Sequence, residues 1–279
     1  TQSGPPETGL GDLPESVVAS VLVYLNPQQI CRVAALNRAF RAASSADFVW
    51  ESKLPNNYKV FDHEDGDDKL LLNLCKKDIY ARLSRPNSID GDTKRMKDNK
   101  KNEILDMIEK VWLHKGTGKP CVLISFNGLS ITGIDDRRYW SRIPTEESRF
   151  HSVAYLQQTW WFEVSGEVEF PFTAGTYSLS FRVQLGRLGK RFGRRVCNCD
   201  QIHGWDRKPV RFQLGTSDGQ EAVSECYLTS PGMWNLYHVG NFVVEDSKVP
   251  MKVKFSMMQI DCTHTKGGLC VDSVLICPK

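Results

Sequence analysis

The 279-residue sequence predicts an α+β multidomain fold, an N-terminal helical part followed by an antiparallel β-sandwich. Three observations carry that expectation. Apolar residues recur at helical period as far as Trp50; they recur at period two beyond Pro120; and Gly- and Asp-containing turn signals punctuate the second pattern. Four segments follow: a polar tail over 1–9, a helical module over 10–55, a helical and linker region with a basic insertion over 56–111, and the sandwich over 112–279.

The helical module reads in order. Asp12 stands where a helix cap is expected, Pro14 suits a first turn because its missing N–H costs nothing there, and Glu15 favours the positive helix end, so a helix starts near residue 13. Val17, Val18, Val21, Leu22 and Leu25 fall at i, i+1, i+4, i+5 and i+8, one broad apolar stripe. Asn26-Pro27 stops this helix and caps a second, which carries Ile30, Cys31, Val33, Ala34 and Leu36; a third, short helix surrounds Phe48, Val49 and Trp50. A domain below roughly 60 residues buries only about 60% of its unfolded surface, so part of this apolar surface is expected to await a partner.

The segment LPESVVASVLVYLNPQQICRVAALNRAFRAASSADFVWESKLP resembles an F-box, the module by which substrate receptors dock on the Skp-type adaptor of cullin ubiquitin ligases. Leu13-Pro14, Val17, Leu22, Leu25, Ile30, Val33, Ala34, Asn37-Arg38 and Trp50 fall where that family places its signature residues. The resemblance implies an adaptor-binding set of Leu13, Pro14, Val17, Val18, Val21, Leu22, Leu25, Ile30, Val33 and Trp50, with the adaptor and, through it, a cullin as partners. The competing reading is a helical cap packed on the rest of the chain.

Between module and sandwich, Asp62-His63-Glu64-Asp65-Gly66-Asp67-Asp68 lacks the alternating ligand spacing of a calcium loop and reads as a solvated turn. Leu70, Leu71, Leu74, Ile79 and Leu83 predict a helix ending before Pro86. The run DTKRMKDNKK from Asp92 to Lys101 reads as exposed linker, with a nuclear-import patch as the other reading. Ile104, Leu105, Ile108 and Val111 have the spacing of a short amphipathic helix.

Beyond Pro120, Trp160, Phe162, Val164 and Val168 alternate with Trp161, Glu163 and Ser165, and Tyr177, Leu179, Phe181, Val183 and Leu185 alternate with Ser178, Ser180, Arg182 and Gln184. Val210-Phe212-Leu214, Val253-Phe255-Met257 and Leu269-Val271 continue the pattern, with turn signals at Ala174-Gly175, Ser217-Asp218-Gly219 and Lys266-Gly267-Gly268. The stretches LSITGIDDRRYW, KPVRFQL, AVSECYL, VGNF and FSMMQIDCTHTKGGLCVDSV resemble the phloem-lectin, or Nictaba-like, domain. The resemblance implies a plant protein and a jelly-roll-like sandwich. In sugar-binding members two tryptophans stack on N-acetylglucosamine, assisted by acids near the C-terminal strands. Trp140, after Tyr139, matches the second tryptophan, Gly133 occupies the place of the first, and Lys252 and Gln259 stand where the acids would be. A glycan is therefore an implied ligand class whose determinants are altered here; Trp140 reads equally as a buried core aromatic.

Composition and motifs narrow the function. A net charge of +3, from 36 Lys and Arg against 33 Asp and Glu, is too small to argue for nucleic acid. No apolar run reaches membrane-spanning length, and the polar start TQSGPPETG has no signal-peptide core. Nine scattered cysteines in a chain large enough to own a core fit reduced thiols in the nucleus or cytoplasm. Gly215-Thr216-Ser217-Asp218-Gly219 fits G-x-S-x-G, but strands flank it where a nucleophile elbow needs a helix. Cys197, Cys199 and His203, and Cys262, His264 and Cys270, have the wrong spacing for zinc, and Lys115–Pro120 lacks the gap of a phosphate loop, so no catalytic residue, cofactor or metal is expected. Arg187, Lys190, Arg191, Arg194 and Arg195 crowd cations around glycines; this stretch reads either as a solvated hairpin loop or as a grip for an acidic or phosphorylated target or a nucleic-acid backbone.

The expected function is a non-catalytic substrate receptor of a Skp-cullin-F-box ubiquitin ligase, with Tyr139, Trp140, Arg191, Arg194 and Arg195 as candidate target or ligand contacts. The alternative is a free cytosolic or nuclear lectin, and a third class is a nucleic-acid binder with a steep salt dependence.

Overall fold

The computed structural model describes residues 9, 13–56, 58–61, 74–88, 110–191, 194–246 and 248–279, with backbone alone at 60–61, 87–88, 188–191 and 194–198. The expectations for Asp12, the acidic run 62–68, Leu70 and Leu71, the basic run 92–101 and Ile104 to Ile108 lie outside these residues. The chain forms two compact units, Thr1–Asp90 with Val111–Pro120, and Gly91–Lys110 with Cys121–Lys279.

In the first unit, α1 (Glu15–Leu22) begins after Pro14, which is extended at ψ 141 and serves as the cap position itself rather than as part of the first turn. Its carbonyl accepts from the N–H groups of Val17 and Val18 at 2.9 and 3.1 Å. At the start of α2 (Pro27–Val33) Asn26 and Gln29 exchange side chain to backbone bonds, a complete capping box with Pro27 at the first position. The sequence reading of three helices misses α3 (Arg38–Ala43), and α4 (Asp47–Glu51) follows it. Asn37 was the available signal: its side chain accepts from the Phe40 N–H at 2.9 Å, and the Ala-rich run behind it favours helix. α5 (Lys76–Leu83) ends before Pro86 as expected but starts after Leu74.

These helices share a small core of Val18, Ala19, Leu22, Ile30, Val49, Trp50, Ile79 and Leu83. Trp50 anchors it: the indole N–H donates to the Ser44 carbonyl at 2.7 Å and the ring lies 5.1 Å from that of Tyr80. Burial pushes the Tyr80 phenol up to about 12. The turn at 114–119, closed by the His114 N–H on the Lys119 carbonyl, packs here through Gly118, where a Cβ would stand 2.7 Å from the Lys53 carbonyl oxygen.

Strands β1 (Asn87–Ser88) and β2 (Lys110–Leu113) come next. Val111, expected in a helix, is in β2: it and Leu113 are fully buried while Lys110 and Trp112 are half-buried, the period-two signature of a strand. The strands of the second unit are β3 (Pro120–Ser125), β4 (Ser130–Ile131), β5 (Trp140–Pro144), β6 (Ser152–Leu156), β7 (Phe162–Phe170), β8 (Gly175–Leu185), β9 (Arg187–Arg191) and β10 (Arg194–Asn198). It ends with β11 (Val210–Thr216), β12 (Glu221–Cys226), β13 (Trp234–Val244), β14 (Met251–Gln259) and β15 (Leu269–Pro278).

Two antiparallel sheets result. In one, β15 is central: β8 runs along one side of it with β13 beyond, and β3 and β6 share the other side with β5 beyond β6. The other has the order β12-β11-β14-β7-β4. Their inner faces meet through Phe181 of β8, with ring centroids 6.1 Å from Phe212 and 5.9 Å from Phe255. A second aromatic cluster joins Phe170, Phe172, Tyr177 and Phe242. The sequence reading named neither β3, buried on both faces and so without alternation, nor β13, whose register shifts between His238 and Gly240.

Loops at one end of this unit converge on Lys266. Its side chain is fully buried, and the ammonium donates to the carbonyls of Trp160, Gln259 and Asp261, each at 2.8 Å. Neighbouring Gly267 is held so close that a Cβ would stand 2.2 Å from the Gln157 carbonyl oxygen, and the Trp205 indole N–H donates to the Gly267 carbonyl at 2.7 Å. Replacing Lys266 by Met strands three acceptors, the Gln259 carbonyl buried and those of Trp160 and Asp261 partly so, and an unpaired buried carbonyl costs about 1–3 kcal/mol. Urea unfolding of the Lys266→Met variant is therefore expected to show a loss of roughly 2 kcal/mol or more; a loss below about 0.5 kcal/mol would contradict this role for the ammonium.

Candidate functional site

The apolar stripe of α1 divides into two faces. Val18, Ala19 and Leu22 are buried, whereas Val17 is 46% and Val21 55% exposed. Leu13 and Pro14 extend the open face before the helix, and Tyr24, 89% exposed, extends it beyond. Leu36 and Phe48 are also exposed in this unit, and Leu25 and Val33 are half-buried. The expected excess of apolar surface is therefore real.

The structure sorts the sequence-derived set. Leu13, Pro14, Val17 and Val21 offer their side chains to solvent. Val18, Leu22, Ile30 and Trp50 are 0–3% exposed and belong to the core behind that open face. The reason lies in the stripe's width, since five of its positions cannot all face one neighbour.

In the second unit, Trp140 is buried and its indole N–H donates to the Thr132 carbonyl at 3.0 Å. The ring lies inside the fold, with its centroid 6.4 Å from that of Phe162, the position expected of a buried core aromatic. Tyr139 is half-buried, with the Arg138 guanidinium 5.5 Å from its ring centroid. Gly133 adopts φ 77, Gln259 is buried, and Lys252 pairs with Glu167. The tryptophans in the exposed class are Trp160 and Trp161, while Trp112 and Trp234 are half-buried. The alternation placed Trp160 on the buried face, but β7 begins only at Phe162 and Trp160 belongs to the loop before it.

The outer face of the five-stranded sheet carries a groove of about 620 Å³. Its floor is a straight row across five strands, Ser130, Ser165, Ser256, Gln213 and Val223, each paired with the next. On one side the row of Glu167, Lys254, Gly215 and Glu221 runs parallel to it. Lys252 and, further off, Lys254 beside Glu167 hold its carboxyl below the usual range. Sequence reasoning missed this groove because its residues come from five separate strands and only the registers bring them together.

The basic run is built as a hairpin. β9 and β10 pair antiparallel with Arg194 opposite Arg191 and Arg195 opposite Lys190, and Arg187 opens it. Phe192 and Gly193 at its tip lie outside the described residues. The G-x-S-x-G match is a turn between β11 and β12, in which Thr216 bonds Asp218 and Gly219 adopts φ 89. Among the described residues no cluster of His, Cys, Asp or Glu could hold a metal ion, and no helix is long and apolar enough to cross a membrane.

Known proteins agree with this division. The family model described as phloem protein 2 matches residues 119–278, and an F-box-like model matches residues 10–54. F-box protein PP2-A13 of Arabidopsis thaliana is 59% identical over 271 residues, covering 97% of this chain and 88% of that protein. F-box protein PP2-A12 of the same plant is 59% identical over 276 residues with the same shares, and F-box protein PP2-B10 is 32% identical over 278 residues, covering 95% and 92%. Among solved structures, a family 35 carbohydrate binding module from Clostridium thermocellum covers 57% of this chain and 98% of its own at 13% identity and a TM-score of 0.35, too loose a likeness to argue from. With the β unit matched almost end to end and the helical module matched ahead of it, the chain belongs to the phloem protein 2 family and carries an F-box-like N-terminal domain.

Proposed function

We propose that this chain is the substrate-recognition subunit of a Skp-cullin-F-box ubiquitin ligase. The observation that carries the reading is the open apolar face of Leu13, Pro14, Val17 and Val21 on an F-box-like module. Burying an exposed Leu or Val side chain is worth about 1.5–3 kcal/mol, enough for a few such residues to anchor an adaptor. The β unit holds the target protein, and the cullin follows through the adaptor. The chain's contribution to ubiquitin transfer is proximity: it raises the effective concentration of target lysines near a thioester carried by another protein, and no residue here performs chemistry.

Eight cysteines among the described residues are free thiols, which supports a reducing compartment, the nucleus or the cytoplasm. The burial of Trp140 and a glycine at position 133 support a protein target over chitin oligomers and weaken the free-lectin reading. We assign target contact to the β9–β10 hairpin, where Arg191, Arg194 and Arg195 lie close in register and suit an acidic or phosphorylated segment, with Tyr139 as a further candidate.

A Val17→Asp/Val21→Asp variant places charge on the open face without touching the core. Co-purification with a Skp-type adaptor is expected to fall by roughly 100-fold or more while circular dichroism stays unchanged; retention within about threefold would overturn the docking assignment. An Arg194→Ala/Arg195→Ala variant is expected to keep the adaptor and lose the salt-sensitive target proteins captured from plant extract. Unchanged target capture would remove the hairpin from recognition.

A further inference from the structure

Cys121 and Cys277 occupy the two strands that join the beginning and the end of the β unit. The β3–β15 ladder pairs Val122 with Ile276, and one step further along sets Cys121 opposite Cys277. Directly opposed antiparallel residues have Cα atoms about 4.5–5.5 Å apart, inside the range a disulfide spans. Their sulfurs are already 2.9 Å apart, so closing to a bond of about 2.05 Å needs little more than side-chain rotation. We propose that Cys121 and Cys277 form a peroxide-sensitive dithiol that oxidises to a cross-strand disulfide, stapling the first long strand of the β unit to its central strand.

The roles of the two thiols follow from their surroundings. Cys121 is fully buried, and Cys277 is half-buried and reachable by a small oxidant. The two thiols share one hydrogen bond, with the Cys277 S–H donating to the Cys121 sulfur; the same contact to Cys121 holds the Cys277 thiol below its ordinary range, burial opposes this, and the Arg149 charge adds to it. The same hydrogen bond and burial push Cys121 up. Cys277 is therefore the attacking thiolate and Cys121 the resolving thiol, the arrangement of redox-responsive cysteines.

The steps balance with hydrogen peroxide as oxidant. The Cys277 thiolate forms an S–O bond as the peroxide O–O bond breaks; sulfur is oxidised to the sulfenic acid, and the leaving hydroxide takes up the thiol's proton as water. Cys121 then loses its proton and attacks that sulfur; an S–S bond forms, the S–O bond breaks, and hydroxide leaves with the Cys121 proton as a second water. A reduced thiol such as glutathione or dithiothreitol reverses the change by exchange.

The full chain, exposed to hydrogen peroxide, alkylated and digested, is expected to yield a Cys121–Cys277 linked peptide lacking two hydrogen atoms and abolished by dithiothreitol. The melting temperature of the oxidised protein is expected to rise by several degrees, and a Cys121→Ser variant is expected to lose that rise and to accumulate a dimedone-reactive sulfenic acid at Cys277. Recovery of both residues singly alkylated from folded, peroxide-treated protein would overturn the proposal, as would linkage of Cys277 to a different cysteine. The peptide readout on the unsubstituted protein decides the matter even if the serine variant folds poorly.

Discussion

Everything in the helical unit depends on one constraint: α1 has apolar residues on more of its circumference than its short neighbours can cover. Among the described residues, five helices of five to eight residues share one small core. Trp50 fills it, its indole N–H is satisfied by Ser44, and Val18, Ala19 and Leu22 close over it. Val17 and Val21 are then left facing water, next to Leu13 and Pro14. An amphipathic helix normally has one apolar side; this one has a structural side and a side with no intramolecular use, and the second is what gives the module a reason to bind.

The β unit is organised by a different principle. Its core is made of large aromatic rings between two sheets, and its loops at one end are tied by a single buried ammonium on three carbonyls. That arrangement leaves the outer surface free to vary. Around the framework, the positions that the resemblance matches to sugar-stacking tryptophans are Gly133 and the buried Trp140, and the serine-floored groove is a separate feature. The Cys121–Cys277 pair lies within the framework rather than on that variable surface, so its oxidation would stiffen the scaffold while leaving the recognition elements in place.

The order of helices and strands was legible in the sequence because its hydrophobic period changes from helical to two, and Asn26-Pro27 was readable as a stop and a cap, though not its reciprocal bond with Gln29. The open face was legible only in part. Periodicity located the stripe but could not say which half would be covered, because that depends on α3, a helix whose cap at Asn37 carried the signal and whose short length hid it. In the β unit, alternation failed where it physically must. β3 is buried on both faces, β13 contains a bulge, and Trp160 sits just before a strand rather than in it. The groove was beyond sequence reasoning altogether, since Ser130, Ser165, Ser256 and Gln213 meet only through strand registers.

The central claim is a division of labour, with the adaptor held by the open face of the helical unit and the β unit left available for a target. Amide hydrogen exchange on the full chain, with and without a Skp-type adaptor, tests it most directly. The account predicts new protection across residues 13–25 and none across 121–279. Protection within the β strands, or none at α1 at saturating adaptor, would contradict it.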